Sequence, residues 1–134
     1  IALSPSQDGK DGNFLATKNL WALGHYSLFV RPGMKRLDVQ RSDNLTDMQA
    51  AQTLMISAFV DEKTSDAAVV IINYESTETQ VKLIRENFPS SQEKTNPTRY
   101  VTTQEPDENM KAYPIDSLDA AIPCPPRSIT TVTF

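Results

Sequence analysis

Among the side chains with which this chain could do acid–base, nucleophilic or metal chemistry are its carboxylates, seven of them glutamates, one histidine and one cysteine. Glu62, Glu75, Glu78, Glu86, Glu93, Glu105 and Glu108 all fall in turn-rich or alternating segments, and they read as solvated surface charge. His25 stands alone, so neither a histidine-based triad nor a multi-histidine metal site can be assembled. Cys124 is likewise single, which excludes an internal disulfide and a cysteine metal cluster. There is no glycine-rich phosphate loop, no Gly-x-Ser-x-Gly elbow and no calcium-loop spacing. The expectation is a chain with no catalytic residue, no metal and no cofactor. Binding is the remaining chemistry: Tyr74, Phe88, Tyr100 and Tyr113 could present rings to a sugar face, although Tyr74 and Tyr100 lie at strand ends where packing is the commoner use. The single tryptophan, Trp21, sits in a helical stretch rather than on a strand.

The elements that must carry these side chains read as helix first, strands after. Residues Ile1 to Leu15 are rich in Ser, Pro, Gly, Asp and Asn and read as a loop. Lys18 to Val30 reads as one helix, with Thr17 or its predecessor as N-cap. Leu20, Leu23 and Val30 lie on one side and Trp21, Leu28 and Phe29 on others, so the helix should be covered on more than one side. Gly24 inside it costs about 1 kcal/mol relative to alanine, which a close approach by a neighbour would justify. His25 reads as a packing or hydrogen-bonding residue on that helix. Pro32 ends it, and Gly33 permits the turn into the first strand.

Met34–Arg41 alternates as a half-buried strand. Asp43–Ala51 is polar and turn-like, and its Asn44-Leu45-Thr46 sequon is taken as unused. Leu54–Val60 and the apolar run Ala67–Tyr74, joined by a polar turn, predict a hairpin whose second strand is central. Thr77–Ile84, Arg99–Thr103, Met110–Ile115 and Ser128–Phe134 add short strands, with a surface loop over Glu86–Asn96. Pro123, Pro125 and Pro126 keep their segment out of a central ladder. The fold class is mainly β: an immunoglobulin-like antiparallel sandwich of seven to eight strands preceded by one α-helix.

At 134 residues the chain has room for one domain with a core. A net charge of −4 argues against unaided nucleic-acid binding, and no run is long enough for a membrane span. The opening IALSPSQDGKDG shows no signal-peptide pattern.

The stretch LWALGHYSLFVRPGMKRLDV resembles the junction in glycoside hydrolase family 30 where the last helix of a catalytic (β/α)8 barrel enters a β-sandwich side domain. LMISAFVDEKTSDAAVVIINYE resembles the central hairpin of that side domain, and IPCPPRSITTVTF its closing strand. The resemblance implies that residues 1–33 are the loop and terminal helix of the barrel and 34–134 the side domain. It implies interdomain packing by Leu20, Trp21, Leu23, Leu28 and Phe29, a barrel in cis as partner, and self-association of the chain without it. It further implies a parent that hydrolyses β-linked polysaccharide or glycoconjugate with retention and is secreted, periplasmic or on the cell surface. Both catalytic glutamates of that family lie on earlier barrel strands, so none is carried onto this chain. Two other readings stand beside it: a carbohydrate-binding module contacting polysaccharide through its tyrosines, and a free-standing immunoglobulin-like interaction domain.

Overall fold

A computed structural model describes residues 2–5, 12–86 and 97–134. Among these, two α-helices and ten strands follow one another in chain order: β1 (Ala2–Pro5), β2 (Gly12–Leu15), α1 (Lys18–Ser27), β3 (Lys35–Leu37), α2 (Asp47–Ala50), β4 (Leu54–Val60), β5 (Ala67–Asn73), β6 (Thr79–Val81), β7 (Thr98–Thr102), β8 (Lys111–Pro114), β9 (Ile122–Cys124) and β10 (Ser128–Thr133). Eight of the strands follow α1, and every pairing is antiparallel.

The main sheet has six strands in the order β3-β4-β5-β10-β7-β8. Strand β5, the most apolar run of the sequence, lies inside it between β4 and β10, and its residues Val70 and Ile71 are fully buried. A strand covered on both faces needs no polar alternation, and that is how this run reads. Strand β4 is half-buried and alternates. Its Leu54, Ile56 and Ala58 face a core shared with Val69, Ile71, Val132, Ile122 and Cys124. Its Ser57 and Phe59 face the other way, toward α1. The six-stranded sheet is therefore sandwiched. One face carries the β6–β9 ribbon and the connections that pack with it; the other carries α1.

Two devices hold this arrangement. The chain leaves α1 through Arg31-Pro32-Gly33-Met34, a turn closed by Met34 N–H to Arg31 O at 3.1 Å, with Gly33 at φ 98° in the region only glycine enters freely. On the far face, buried Asn73 at the end of β5 directs Nδ2 to the carbonyls of Thr77 (2.8 Å), Cys124 (3.0 Å) and Pro125 (3.0 Å), tying β5 to both arms of the β6–β9 ribbon.

Four expectations need correction. The leader read as a loop over Ile1–Leu15 contains the β1–β2 hairpin, with Ala2 opposite Leu15 and Pro5 opposite Gly12; main-chain pairing needs no apolar pattern to form. The helix ends at Ser27 rather than Val30, with Leu28 as C-cap, because the chain must unwind before Pro32. The polar stretch Asp43–Ala51 contains a second helix, α2, nucleated by a reciprocal capping box between Thr46 and Gln49. The strand expected over Met34–Arg41 forms only at Lys35–Leu37, the part with a neighbour in β4 to pair with. The loop expected over Glu86–Asn96 lies, from residue 87 on, outside the described residues. Among the described residues no helix is long and apolar enough to cross a membrane.

Candidate functional site

Helix α1 has two unlike sides, and the inner one is bolted to the sheet. Thr17 is its N-cap in extended backbone, and the Thr17 carbonyl accepts from Leu20 N–H at 3.0 Å. About two turns on, His25 is completely buried. Its Nδ1 lies 2.7 Å from Thr131 Oγ1 on β10, and its Nε2 lies 2.9 Å from Thr102 Oγ1 on β7. Burial pushes the His25 pKa down to about 4, because a charged imidazole would lose its hydration there. Phe29 lies against Tyr100 with ring centroids 4.4 Å apart. Tyr26 meets Phe59 edge-on at 6.4 Å and its hydroxyl reaches Ser57 Oγ at 3.1 Å. At the start of the helix, Lys18 Nζ donates to Asn109 Oδ1 at 2.7 Å and to the carbonyls of Glu105 and Glu108, fastening α1 to the β7–β8 connection.

The outer side is apolar and open. Leu23 is 69% exposed and Leu28 57%. With Leu20, Trp21, Gly24, Ser27, Val30 and Met110 they line a shallow groove along the helix, and Tyr26, between the two sides, borders it. Phe14 and Leu15, in the strand leading to α1, are exposed as well. Buried, each leucine would contribute about 1.5–3 kcal/mol, so a helix that is polar on neither side leaves substantial hydrophobic free energy unused.

Among the described residues, the ring candidates Tyr74, Tyr100 and Tyr113 each have neighbours of their own. Tyr74 is exposed with the Arg127 guanidinium 4.4 Å over its ring. Tyr100 is half-buried beneath Phe29 on the α1 face of the sheet. Tyr113 pairs in register with Arg99, whose Nη1 donates to Pro123 O, so it belongs to the opposite face from Tyr100. Phe88 lies outside the described residues. Of the interdomain candidates, Leu20, Trp21, Leu23 and Leu28 line the outer groove, whereas Phe29 packs inward on Tyr100.

Neither Glu108 nor Asp43 is poised as a general acid. Glu108 accepts from Tyr113 Oη at 2.6 Å and from Thr103 Oγ1 at 2.8 Å, and these bonds hold its carboxyl below the usual range, opposite to what proton donation near neutrality needs. The same bond raises the Tyr113 pKa. Asp43 is held low by Arg41. Burial pushes the Cys124 thiol up to about 11, so it is no nucleophile. Among the described residues no group of three or more His, Cys, Asp or Glu could hold a metal ion. Sequence reasoning missed Lys18, Thr102, Met110 and Thr131; only Gly24, a helix-breaking residue in mid-helix, hinted that something approaches there.

The fold is an antiparallel β-sandwich with a helix fixed to one face. No family profile matches the sequence, but solved structures do. A conserved exported protein from Bacteroides fragilis is 30% identical with a TM-score of 0.80, over 98% of this chain and 26% of that one. A GH30 endoxylanase from Clostridium papyrosolvens is 27% identical with a TM-score of 0.64, over 87% of this chain and 27% of that one. A family 30 subfamily 8 xylanase from Clostridium acetobutylicum is 17% identical with a TM-score of 0.65, over 96% of this chain and 30% of that one. This chain is a domain related to glycoside hydrolase family 30, and it spans less than a third of the length of the proteins it matches.

Proposed function

We propose that this chain is the non-catalytic C-terminal side domain of a retaining glycoside hydrolase and that it buttresses a (β/α)8 barrel in cis. The observation that carries the reading is the two-sided character of α1: one side is locked to the sheet by His25, Tyr26 and Phe29, while Leu23 and Leu28 on the other stand in solvent. On this reading residues 1–33 supply the barrel's last loop and helix and 34–134 the side domain. Leu20, Trp21, Leu23 and Leu28 meet the barrel, and Phe29 supports them from behind. A helix shared in this way fixes the angle between two units, because it is part of both cores. The likeness to a GH30 endoxylanase supports a parent acting on β-linked polysaccharide such as xylan, and the likeness to an exported protein supports an extracytoplasmic destination.

The test is hydrolysis and retention measured on this chain and on the protein extended through its N-terminal coding sequence. The extended protein is expected to hydrolyse a β-linked polysaccharide; this chain alone is expected to hydrolyse none and to migrate unretarded in polysaccharide affinity gels. Turnover by the chain itself would overturn the non-catalytic assignment. Retardation that Tyr74→Ala abolishes would favour a carbohydrate-binding module instead.

A further inference from the structure

We propose that His25 is an acid-released latch: its neutral imidazole holds α1 on β7 and β10, and its protonation frees the helix while the six-stranded sheet stays folded. The inference goes beyond the buttress reading and does not depend on it.

The latch rests on proton counting. A neutral imidazole has one N–H and one lone pair, so of its two hydroxyl neighbours one accepts and the other donates. Thr102 Oγ1 already accepts from Met110 N–H at 2.9 Å, which ties the β7–β8 connection into the same network. Adding a proton turns both ring nitrogens into donors. The hydroxyl that had donated must rotate to accept, its own proton must find a new acceptor, and a full charge then sits in a site with no exposure to water.

Nothing nearby offsets that charge. The ionisable groups on the surrounding elements are Lys18 and Tyr26 on α1, Arg99 and Tyr100 on β7, Tyr113 and Lys111 on β8, and Glu105, Asp107 and Glu108 in the β7–β8 connection; Arg99 is turned to Pro123 and the Tyr113 ring on the other face, and β10 and β5 contribute none on this face. Lys18 is turned to Asn109 and the connection's carbonyls, Tyr26 to Ser57, and Glu108 to Tyr113 and Thr103. Lys111 lies over the Tyr113 ring, and Tyr100 is stacked under Phe29. None of them is a hydrogen-bond neighbour of the imidazole, whose bonds go to two hydroxyls.

The sheet does not need the latch. Strands β4, β5, β10 and β7 are joined by continuous backbone ladders, and the core formed by Val69, Ile71, Val132 and Ile122 lies on the face away from α1. Release of the helix therefore leaves the larger cooperative unit intact.

The experiment follows the whole chain through an acid titration with two independent signals. Trp21, the only tryptophan, lies on α1 and reports its docking by fluorescence; far-UV circular dichroism of the strands reports the sheet. The expected result is a Trp21 red shift with a midpoint between about pH 4 and 6 while the strand signal is retained, and loss of that transition in His25→Gln, which keeps a hydrogen-bonding side chain but cannot titrate there. A missing Trp21 transition, one unchanged in His25→Gln, or one coincident with loss of the strands would overturn the latch. Should His25→Gln fail to fold, the C2 proton of the lone histidine decides by NMR on the unmodified chain. A shift in step with Trp21 supports the latch; free titration near 6.5 contradicts it.

Discussion

The sulfur of Met110 occupies the space that a side chain on Gly24 would need: a Cβ built there would stand 2.5 Å from Met110 Sδ. The glycine in mid-helix is thus the notch into which the β7–β8 connection inserts a side chain. Two opposing effects meet at this position. Alanine would favour the helix by about 1 kcal/mol, but it would push aside the flexible end of the Met110 side chain, whose lost packing in the notch costs about 1 kcal/mol. Gly24→Ala is predicted to leave stability within about 0.5 kcal/mol when Met110 is present, the two effects cancelling. In a Met110→Ala background the same change is predicted to stabilise by about 1 kcal/mol. Urea denaturation of the four proteins in this double-mutant cycle measures the coupling; additive effects would show that Met110 does not depend on the notch.

Stability should depend on pH through His25, and the sign can be fixed. Its pKa falls from 6.5 in the unfolded chain to about 4 in the fold, so between these values the unfolded chain binds more protons. Stability therefore rises with pH across that window, is fully present above about pH 6.5, and is lost as pH falls toward 4. The shift sets a ceiling of about 3 kcal/mol on the difference. Urea midpoints at several pH values are expected to flatten over this range in His25→Gln. An unchanged slope would assign the dependence to carboxylates.

Asn73 should be among the least replaceable polar residues. Its amide reaches three carbonyls and its Oδ1 accepts from Glu75 N–H at 3.0 Å, all at a site 1% exposed. Truncation strands carbonyls that have little access to water, so Asn73→Ala is predicted to cost about 3 kcal/mol. Asn73→Asp should cost more, because a carboxylate would face three oxygens. Thermal or urea unfolding checks both, and a loss below about 1 kcal/mol would mean that water or backbone movement replaces the amide.

What could be read from the sequence was whatever leaves a periodic trace. The alternation from Leu54 to Val60 and the unbroken apolar run from Ala67 mark the neighbouring inner strands β4 and β5, and Pro32-Gly33 marks the turn between helix and sheet. The Thr46-x-x-Gln49 capping box starts α2, but a helix of four residues, Asp47–Ala50, is too short to show a period, and the stretch reads as a turn. The β1–β2 hairpin is held by backbone pairing that leaves no side-chain pattern. The neighbours of His25 lie 77 and 106 residues away along the chain, and an ordinary threonine in a strand gives no sign that it will meet a buried imidazole. Nor could spacing separate the outer residues of the helix from Phe29: that division depends on which way the sheet lies.

The buttress account stands or falls on whether the outer side of α1 is covered in the extended protein. Leu23→Asp, measured by thermal unfolding in both contexts, tests this most directly. In this chain alone Leu23 is 69% exposed, so the change should alter stability by no more than about 0.5 kcal/mol. In the extended protein it should lower stability by about 3 kcal/mol or more, since an aspartate would then be buried in an apolar interface. Equal, small effects in the two contexts would contradict the account, because Leu23 would then face solvent in both.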